Sequence, residues 1–480
     1  MKLSCSVTLW NLLDSQMDAK TMPPLPPNVR QVIVRSDLQF SSSCQSLPAS
    51  PPHPFSERGF ESAQKILAEA AWEDVSWRQI RKLGDDFRKS WEVNCEIQLS
   101  EPEGIAALEQ LSGQNFDLAL AYNFALCPLA VAHRLGLGDR FAWYTPGTFI
   151  VDFSAKALGL STNPSYIPYA MAPYSDAMTF KQCLLVLLMT RILAPLISTT
   201  LLDIEDRIFR QPPFQLESSK PLLELASNVR TLLVNGEAAI DFPRPITYGV
   251  SYLGQVGEKR KSSKKEELGE EWEVVMSDES KKGVLLFSLG TIANTTHMPM
   301  FMKAAFFEAF VELKDYNIIW RIEGALPPEV DNHPHIHVVR YMPQRLLLLH
   351  ARTRLFITHG GYNSILETTK GGVPVLLLPL FADQACNAAR AERHGLGITL
   401  WKTQLTPDSV LNAIRTILQN PRFARRSLDF SRMLNDKLGP AEMELDQQLG
   451  FLARRPSHYP SLRASHRLNE LQYWCLDIAG

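Results

Sequence analysis

The sequence predicts an α/β protein of two domains, each built on a mainly parallel, doubly wound sheet, facing one another across a cleft. Three observations lead there. A chain of 480 residues is too long for a single core and suggests two or three domains. A polar, charge-dense run over residues 254–282, containing GEKRKSSKKEELGEEWE, separates two apolar regions as a linker or a long exposed loop would. After that run, short apolar strands alternate with helical patterns. Such alternation indicates a parallel sheet whose ligands bind at the carboxyl ends of its strands.

In the first region, strand patterns fall at 6–10, 29–34, 116–122 and 141–144, and helical patterns at 61–71 and 127–135. Residues 41–56, rich in proline and serine, read as a loop. The longest apolar run, 184–202, carries Arg191 and Pro195. A bilayer span needs about 20 predominantly apolar residues, and a central charge makes one costly. This run is therefore expected to be a buried or surface-lying helix. After the linker, strands are expected at 284–288, 318–322, 337–341, 354–358 and 373–379. Helices are expected at 299–313, 363–369 and 384–393. Thr406-Pro407 opens a further helix, with an N-cap hydroxyl followed by proline at the first helical position.

Composition narrows the partners. Apolar residues at 45% and charged residues at 21% fit an ordinary globular protein, and a net charge of −2 gives no reason to expect nucleic acid. Seven cysteines, scattered and without CxxC spacing, argue against a disulfide scaffold and against a zinc module.

The chemistry concentrates after the strand at 354–358. That strand runs into His359-Gly360-Gly361, and a helix opens near Asn363-Ser364. Glycines let backbone approach a ligand closely. A helix amino terminus offers unpaired N–H groups and partial positive charge, which suits a diphosphate. A tight strand-to-helix turn with no ligand would read the same way. The next strand ends in Leu380-Phe381-Ala382-Asp383-Gln384, where a carboxylate beside an amide suits sugar hydroxyls. Asp383 could equally cap the following helix. Glu367 lies one helical turn beyond Asn363 and can reach a ribose diol, or it is a solvated helix carboxylate.

The run FITHGGYNSILETTKGGVPVLLLPLFADQACNAARAERHGLGITL, residues 356–400, closely resembles the signature of the UDP-glycosyltransferases, in particular the animal glucuronosyl- and glucosyltransferase branch. Ser288-Leu289-Gly290-Thr291 resembles the family's first donor-domain loop. Trp320-Arg321, Tyr341-Met342-Pro343-Gln344, Asp241-Phe242-Pro243-Arg244-Pro245 and Asn163-Pro164-Ser165-Tyr166-Ile167-Pro168 also fit. The resemblance implies two facing Rossmann-like domains of the GT-B type. It divides the chain into an acceptor-binding domain (1–253), a charged linker (254–282), a UDP-sugar domain (283–437) and a terminal segment (438–480) packing back on the first domain.

Carried over by position, Ser288, Gly290 and Thr291 belong to the donor site. His359, Gly361, Asn363 and Ser364 would hold the diphosphate, Glu367 the ribose, and Asp383 with Gln384 the sugar. Tyr341 and Gln344 would lie by the uracil, with tyrosine where the family often has tryptophan. The implied reaction is an inverting transfer of glucuronate or glucose from the UDP-sugar, a co-substrate, to the hydroxyl of a small lipophilic acceptor. No metal and no cofactor are implied. Membrane-surface contact and association with itself or with relatives stay open. The resemblance also implies a lumenal endoplasmic-reticulum setting with a signal peptide and tail anchor. Neither is expected in these 480 residues: by the resemblance, the first strand of the N-terminal domain, its loop and its helix would precede Met1, and 461–480 resembles the stretch just ahead of the anchor.

Two family features do not match. The first is a general-base histidine in the loop after the family's first strand. The segment 5–10 resembles the second strand, and the two histidines ahead of the linker are poor candidates: His53 in the proline-rich loop and His133 on a packing helix. The second is its acidic partner, whose position falls on Tyr122. Asp117 is expected to face the opposite side of the strand, and Asn123 carries no charge. Impaired turnover is therefore expected. The competing class is a pseudoenzyme that holds UDP-sugar without transferring it. A weaker third reading is a two-domain transferase for polysaccharide or glycolipid synthesis. His333, His335 and His337 alternate as zinc ligands on a strand could, although Pro334 interrupts them. Asn294-Thr295-Thr296 is a glycosylation sequon.

Overall fold

The computed structural model describes residues 7–13, 29–35, 102–123, 126–147, 150, 152–160, 163–193, 203, 205–210, 222–254, 256, 268–290, 293–436 and 441–456. The expected helix at 61–71, the loop at 41–56 and His53 lie outside them.

The first strands, β1 (Val7–Leu13) and β2 (Val29–Arg35), pair in parallel. A second sheet holds β3 (Ala119–Tyr122), β4 (Phe141–Pro146), β5 (Leu232–Asn235) and β6 (Val250–Tyr252) in sequence order, again all parallel. The third sheet contains β7 (Val284–Ser288), β8 (Asn317–Arg321), β9 (Ile336–Val339), β10 (Thr353–Thr358), β11 (Val375–Leu377) and β12 (Gly397–Thr399). Its order is β12-β11-β10-β7-β8-β9, and every pair is parallel. The winding reverses between β7 and β10. A crevice opens beyond the carboxyl ends of strands at such a reversal, which is where doubly wound sheets bind ligands.

Burial on both faces explains why β7 reads as an apolar run from Val284 to Phe287. Leu285 and Phe287 join Phe306, Phe310, Trp320 and Ile414 on one side, while Val284 and Leu286 join Ile319, Phe356 and Ile365 on the other. The Phe287 ring meets Phe306 at 4.9 Å and Trp320 at 5.9 Å, both edge-to-face, an arrangement aromatic pairs favour.

Several elements differ from expectation, each for a local reason. The strand expected at 373–379 contracts to Val375–Leu377: the Val373 amide turns back to Thr368 O, and Pro374 and Pro379 cannot donate. The strand expected at 116–122 begins only at Ala119, so Asp117 precedes it and the alternation reading of that residue falls away. The strand expected at 337–341 is Ile336–Val339, leaving Tyr341 beyond the sheet. Within the charged run 254–282, Glu270–Met276 is a helix whose first turn carries Glu270, Glu271 and Glu273, favourable beside the positive end of the dipole. Its Met276 is buried with Ile240 and Val284. Where the sequence left a choice at 184–202, the described residues form a surface-lying helix that buries Val186. The helix Phe180–Leu188 passes into a π-turn, Met189–Leu193, with Phe180, Leu184, Leu187, Leu188 and Ile192 exposed. Among the described residues no helix is long and apolar enough to cross a membrane. Cys127 is disulfide-bonded, a bridge the cysteine spacing did not signal, while Cys183 and Cys386 are free thiols.

Elsewhere the local signals hold. Thr406 caps the helix Pro407–Gln419 in a reciprocal box: Thr406 Oγ1 accepts from Ser409 N at 3.1 Å, and Ser409 Oγ accepts from Thr406 N at 2.9 Å.

The domains meet along a close-packed seam. The ring of Tyr362, first residue of the helix Tyr362–Gly371, lies against Gly147 at the end of β4 and Gly236 at the end of β5. Its hydroxyl accepts from Glu237 N at 3.1 Å. Beside it, buried Asp241 accepts from Arg390 Nε at 2.9 Å and from the Tyr252 hydroxyl at 2.7 Å. Farther along the chain, the helix Ala441–Arg454 returns to the first domain, where Leu452 packs on Ala142.

Candidate active site

At the reversal point, the loops after β7 and β10 close around one imidazole. A β-carbon on Gly290 would lie 2.6 Å from His359 Cε1, and one on Gly361 would lie 2.5 Å from His359 Nε2. Only glycine permits that approach, and Gly290 also has a left-handed φ of 77°. Arg321, at the end of β8, fixes the same loop: Nη1 donates to Gly290 O at 2.6 Å, and Nε donates to Arg340 O at 3.1 Å. Ser288 is buried with its hydroxyl 3.5 Å from Arg321 Nη1. Thr291 lies outside the described residues.

Burial first, and the Arg321 guanidinium second, push the His359 imidazole down from 6.5 to about 4. The ring is neutral near pH 7 and carries a donor without adding charge. A depressed histidine binds its proton more readily in the unfolded chain. Its contribution to stability is complete above pH 6.5 and is lost as pH falls towards about 4. His359→Asn should therefore move the acid-unfolding midpoint to lower pH in a fluorescence titration. An unchanged or higher midpoint would contradict the assigned environment.

The helix Tyr362–Gly371 begins directly after this cage, with Asn363 exposed at its mouth and Ser364 buried. Along it, Glu367 reaches Gln344, whose Nε2 donates to Glu367 Oε2 at 2.7 Å and lies 3.4 Å from Ser364 Oγ. Residues assigned separately to ribose, base and diphosphate thus form one cluster. Burial raises the Glu367 carboxyl, with Gln344 and Arg345 opposing. Tyr341 stands beside this cluster in the chain and is 74% exposed, leaving its ring face open for stacking.

Asp383 opens the helix Gln384–Arg393 but makes no side-chain cap bond to it. Its Oδ2 instead accepts from Asn387 Nδ2 at 2.9 Å. Burial raises its carboxyl, while Asn387 and Arg390 oppose the rise. Ala382 before it is the one non-glycine residue with positive φ, 54°, among the described residues. Gln384 is buried, and its Oε1 accepts from the Leu380 and Phe381 amides at 2.8 and 3.1 Å, so its carbonyl serves the loop.

The first domain contributes Tyr122 at the carboxyl end of β3, its ring edge-on to Tyr144 at 5.9 Å. Burial, then Tyr144, then the Asp383 carboxylate raise its phenol, which places Tyr122 and Asp383 within electrostatic reach. His133 occupies the last turn of the helix Cys127–Arg134, at the edge of the sheet opposite the strand carboxyl ends. Of the alternating histidines only His337 lies in β9. His335 is buried against Phe310 O at 3.0 Å, and His333 packs edge-on to Phe307. In the sequon, Asn294 Oδ1 accepts from Thr296 N, and Thr295 Oγ1 accepts from Glu323 N.

Three functional groups had no sequence signal of their own: the Tyr362 ring at the seam, Asn387, and the buried Arg390. A charged residue between Ala388 and Ala391, on the packed face of a helix, is the only hint, since an arginine there requires a partner.

A neutral donor cage at a helix amino terminus, placed where the winding of a parallel sheet reverses, is an arrangement shared with nucleotide-binding α/β proteins. The model of the UDP-glucoronosyl and UDP-glucosyl transferase family matches residues 27–480, and the chain belongs to that family of sugar-transferring enzymes. It is 35% identical to ugt-60 of Caenorhabditis elegans, over 99% of this chain and 89% of that protein. It is 29% identical to the mouse UDP-glucuronosyltransferase 1A9, over 78% and 68%. Among solved structures, the fold is similar to Phytolacca americana UGT2 complexed with UDP-2fluoro-glucose and pterostilbene. There the identity is 16%, the TM-score 0.57, and the match covers 94% of this chain and 93% of that one. A UDP-glucose: anthocyanidin 3-O-glucosyltransferase in complex with UDP gives 16%, 0.53, 90% and 88%. The architecture is GT-B: two parallel-sheet domains facing one another.

Proposed function

We propose that this protein transfers glucuronate or glucose from a UDP-sugar to the hydroxyl of a small lipophilic acceptor, with inversion and without metal or cofactor. The Gln344–Glu367–Ser364 cluster, one helical turn behind the His359 cage, carries the reading. A diphosphate on the Gly361, Asn363 and Ser364 amides would leave the ribose over Glu367 and the uracil over Tyr341. The sugar then extends toward Asp383 and Gln384, and Ser288, Gly290 and Thr291 close the site from the β7 side. The 254–282 run separates this donor domain from an acceptor domain carrying Tyr122.

Glu367→Ala tests the assignment. A charged hydrogen bond to a ribose diol is worth about tenfold or more in affinity. Calorimetry should show UDP binding weakened by that factor. Unfolding free energy should stay within about 1 kcal/mol, because burial of the carboxylate offsets its bond to Gln344. Unchanged UDP affinity would remove the ribose assignment.

One observation favours a second reading, binding without turnover. Tyr122 occupies the position that the resemblance gives to a carboxylate, and its raised phenol stays neutral, so it cannot stabilise an imidazolium as an anion does. Robust transfer from UDP-glucose or UDP-glucuronate by the purified protein would eliminate that reading. The Cys127 disulfide favours an oxidising compartment, in line with a lumenal endoplasmic-reticulum setting. The exposed face of Phe180, Leu184, Leu188 and Ile192 supports contact with a membrane surface.

A further inference from the structure

Asp383 owes its position to groups beyond its own loop. The Asn387 amide nitrogen donates both to Asp383 Oδ2 at 2.9 Å and to Gly360 O at 3.0 Å, in the loop that follows β10. Its amide oxygen accepts from Arg390 Nη1 at 2.7 Å. Arg390 Nε in turn donates to Asp241 Oδ1 at 2.9 Å, in the other domain, and the guanidinium lies over the Phe242 ring at 5.2 Å. Asn387 and Arg390 are 1% and 3% exposed and Asp241 is 5% exposed, so solvent cannot replace these bonds.

The order of groups fixes the amide. Only with its oxygen toward the guanidinium and its nitrogen toward the carboxylate are both neighbours satisfied. Arg390 is itself held as a planar fork between Asp241 and Asn387, and losing either partner frees it. We propose that Asn387 and Arg390 are positioning residues that transmit the Asp241 anchor of the first domain to the Asp383 carboxylate. The donor site grips its sugar fully only while the two domains are seated on each other. This inference rests on the reading that Asp383 holds the sugar.

Binding separates the two ideas without needing an acceptor. The probes are UDP, UDP-glucose and UDP-glucuronate, titrated calorimetrically into the full chain between about pH 5 and 8, around the histidine and carboxylate range. The readout is the ratio of UDP-sugar to UDP affinity. Asn387→Ala should leave UDP binding nearly unchanged and lower that ratio by about tenfold, the size of one charge-assisted hydrogen bond. The charged and titratable groups around Asp383 are Arg390 and Cys386 on its own helix and Tyr122 from the first domain. Removing the Asn387 bond takes away an influence that holds the carboxyl down. Sugar recognition should then fail at higher pH than in the parent as pH falls.

Arg390→Lys keeps a charge opposite Asp241 but shortens the reach to Asn387. It should give the same split, and it serves if Asn387→Ala does not fold. If both variants keep the parental ratio and pH dependence while Asp383→Asn loses the ratio, the coupling is overturned and the sugar assignment stands. If Asp383→Asn also keeps the ratio, the sugar assignment falls and the coupling with it. A parallel loss of UDP affinity would mark a general structural role and likewise overturn the proposal.

Discussion

Arg390→Ala should lower the unfolding free energy by about 3–5 kcal/mol, the cost of leaving a buried partner charge uncompensated. Burial would by itself raise the Asp241 carboxyl, yet Arg244, Arg390, the Tyr252 hydroxyl and the Phe242 amide together hold it below its ordinary range. It is therefore ionised, and removing Arg390 strands a negative charge between the domains. Arg244 remains 3.3 Å away, which puts the expected cost at the lower end of that range. The pair itself contributes less than the cost of breaking it. The double variant Asp241→Leu/Arg390→Met should recover much of the loss, since an apolar pair of similar volume replaces two desolvated ions. Denaturant melts of the two single variants and the double variant measure the coupling. A loss under about 1 kcal/mol for Arg390→Ala would mean that water reaches the pair.

The second large effect belongs to the seam. Gly147→Val should reduce turnover by about a hundredfold while UDP affinity changes little, because about 1 Å of misplacement can cost that much. Gly147 has φ 79°, and a β-carbon there would meet Tyr362 Cγ at 2.6 Å, far inside contact distance. The ring cannot retreat, being buried against Gly236 with its hydroxyl bonded to Glu237 N. What can give is the spacing between the β4 end and the helix that Tyr362 begins. The two domains would then keep their own cores and lose their mutual seating. Steady-state kcat beside UDP titration decides the matter, and parental kcat in Gly147→Val would show that the seam plays no part in catalysis.

The sequence made some of this visible and hid the rest for physical reasons. β7 was found to the residue because burial on both faces makes it apolar from Val284 to Phe287, just after Gly283. The helix Gln384–Arg393 was found to the residue as well, since its spacing is local. Pattern failed where one signal had two meanings. Glutamates at 270–273 read as linker composition and turned out to open a helix. Val373 looked like strand but donates to a helix end. In the candidate site, His359, Asn363, Ser364 and Glu367 are near neighbours in sequence, so spacing groups them. Gln344 joins them from 23 residues away, and only the family resemblance suggested it. Arg390 and Asp241, 149 residues apart, gave no local sign of each other. Asp383 was weighed as a helix cap or a cleft carboxylate, and its bond to Asn387 four residues on belongs to neither picture.

The helix Ala441–Arg454 laying Leu452 on Ala142 has a consequence for biosynthesis. Ala142 leaves the ribosome long before the residue that covers it, which stands 310 positions later in the chain (142 to 452). Vectorial folding from the amino terminus therefore leaves one patch of the first sheet bare until the whole second domain has been made. Nascent chains of this protein should accordingly hold a chaperone across that interval, and release it only once Leu452 has emerged.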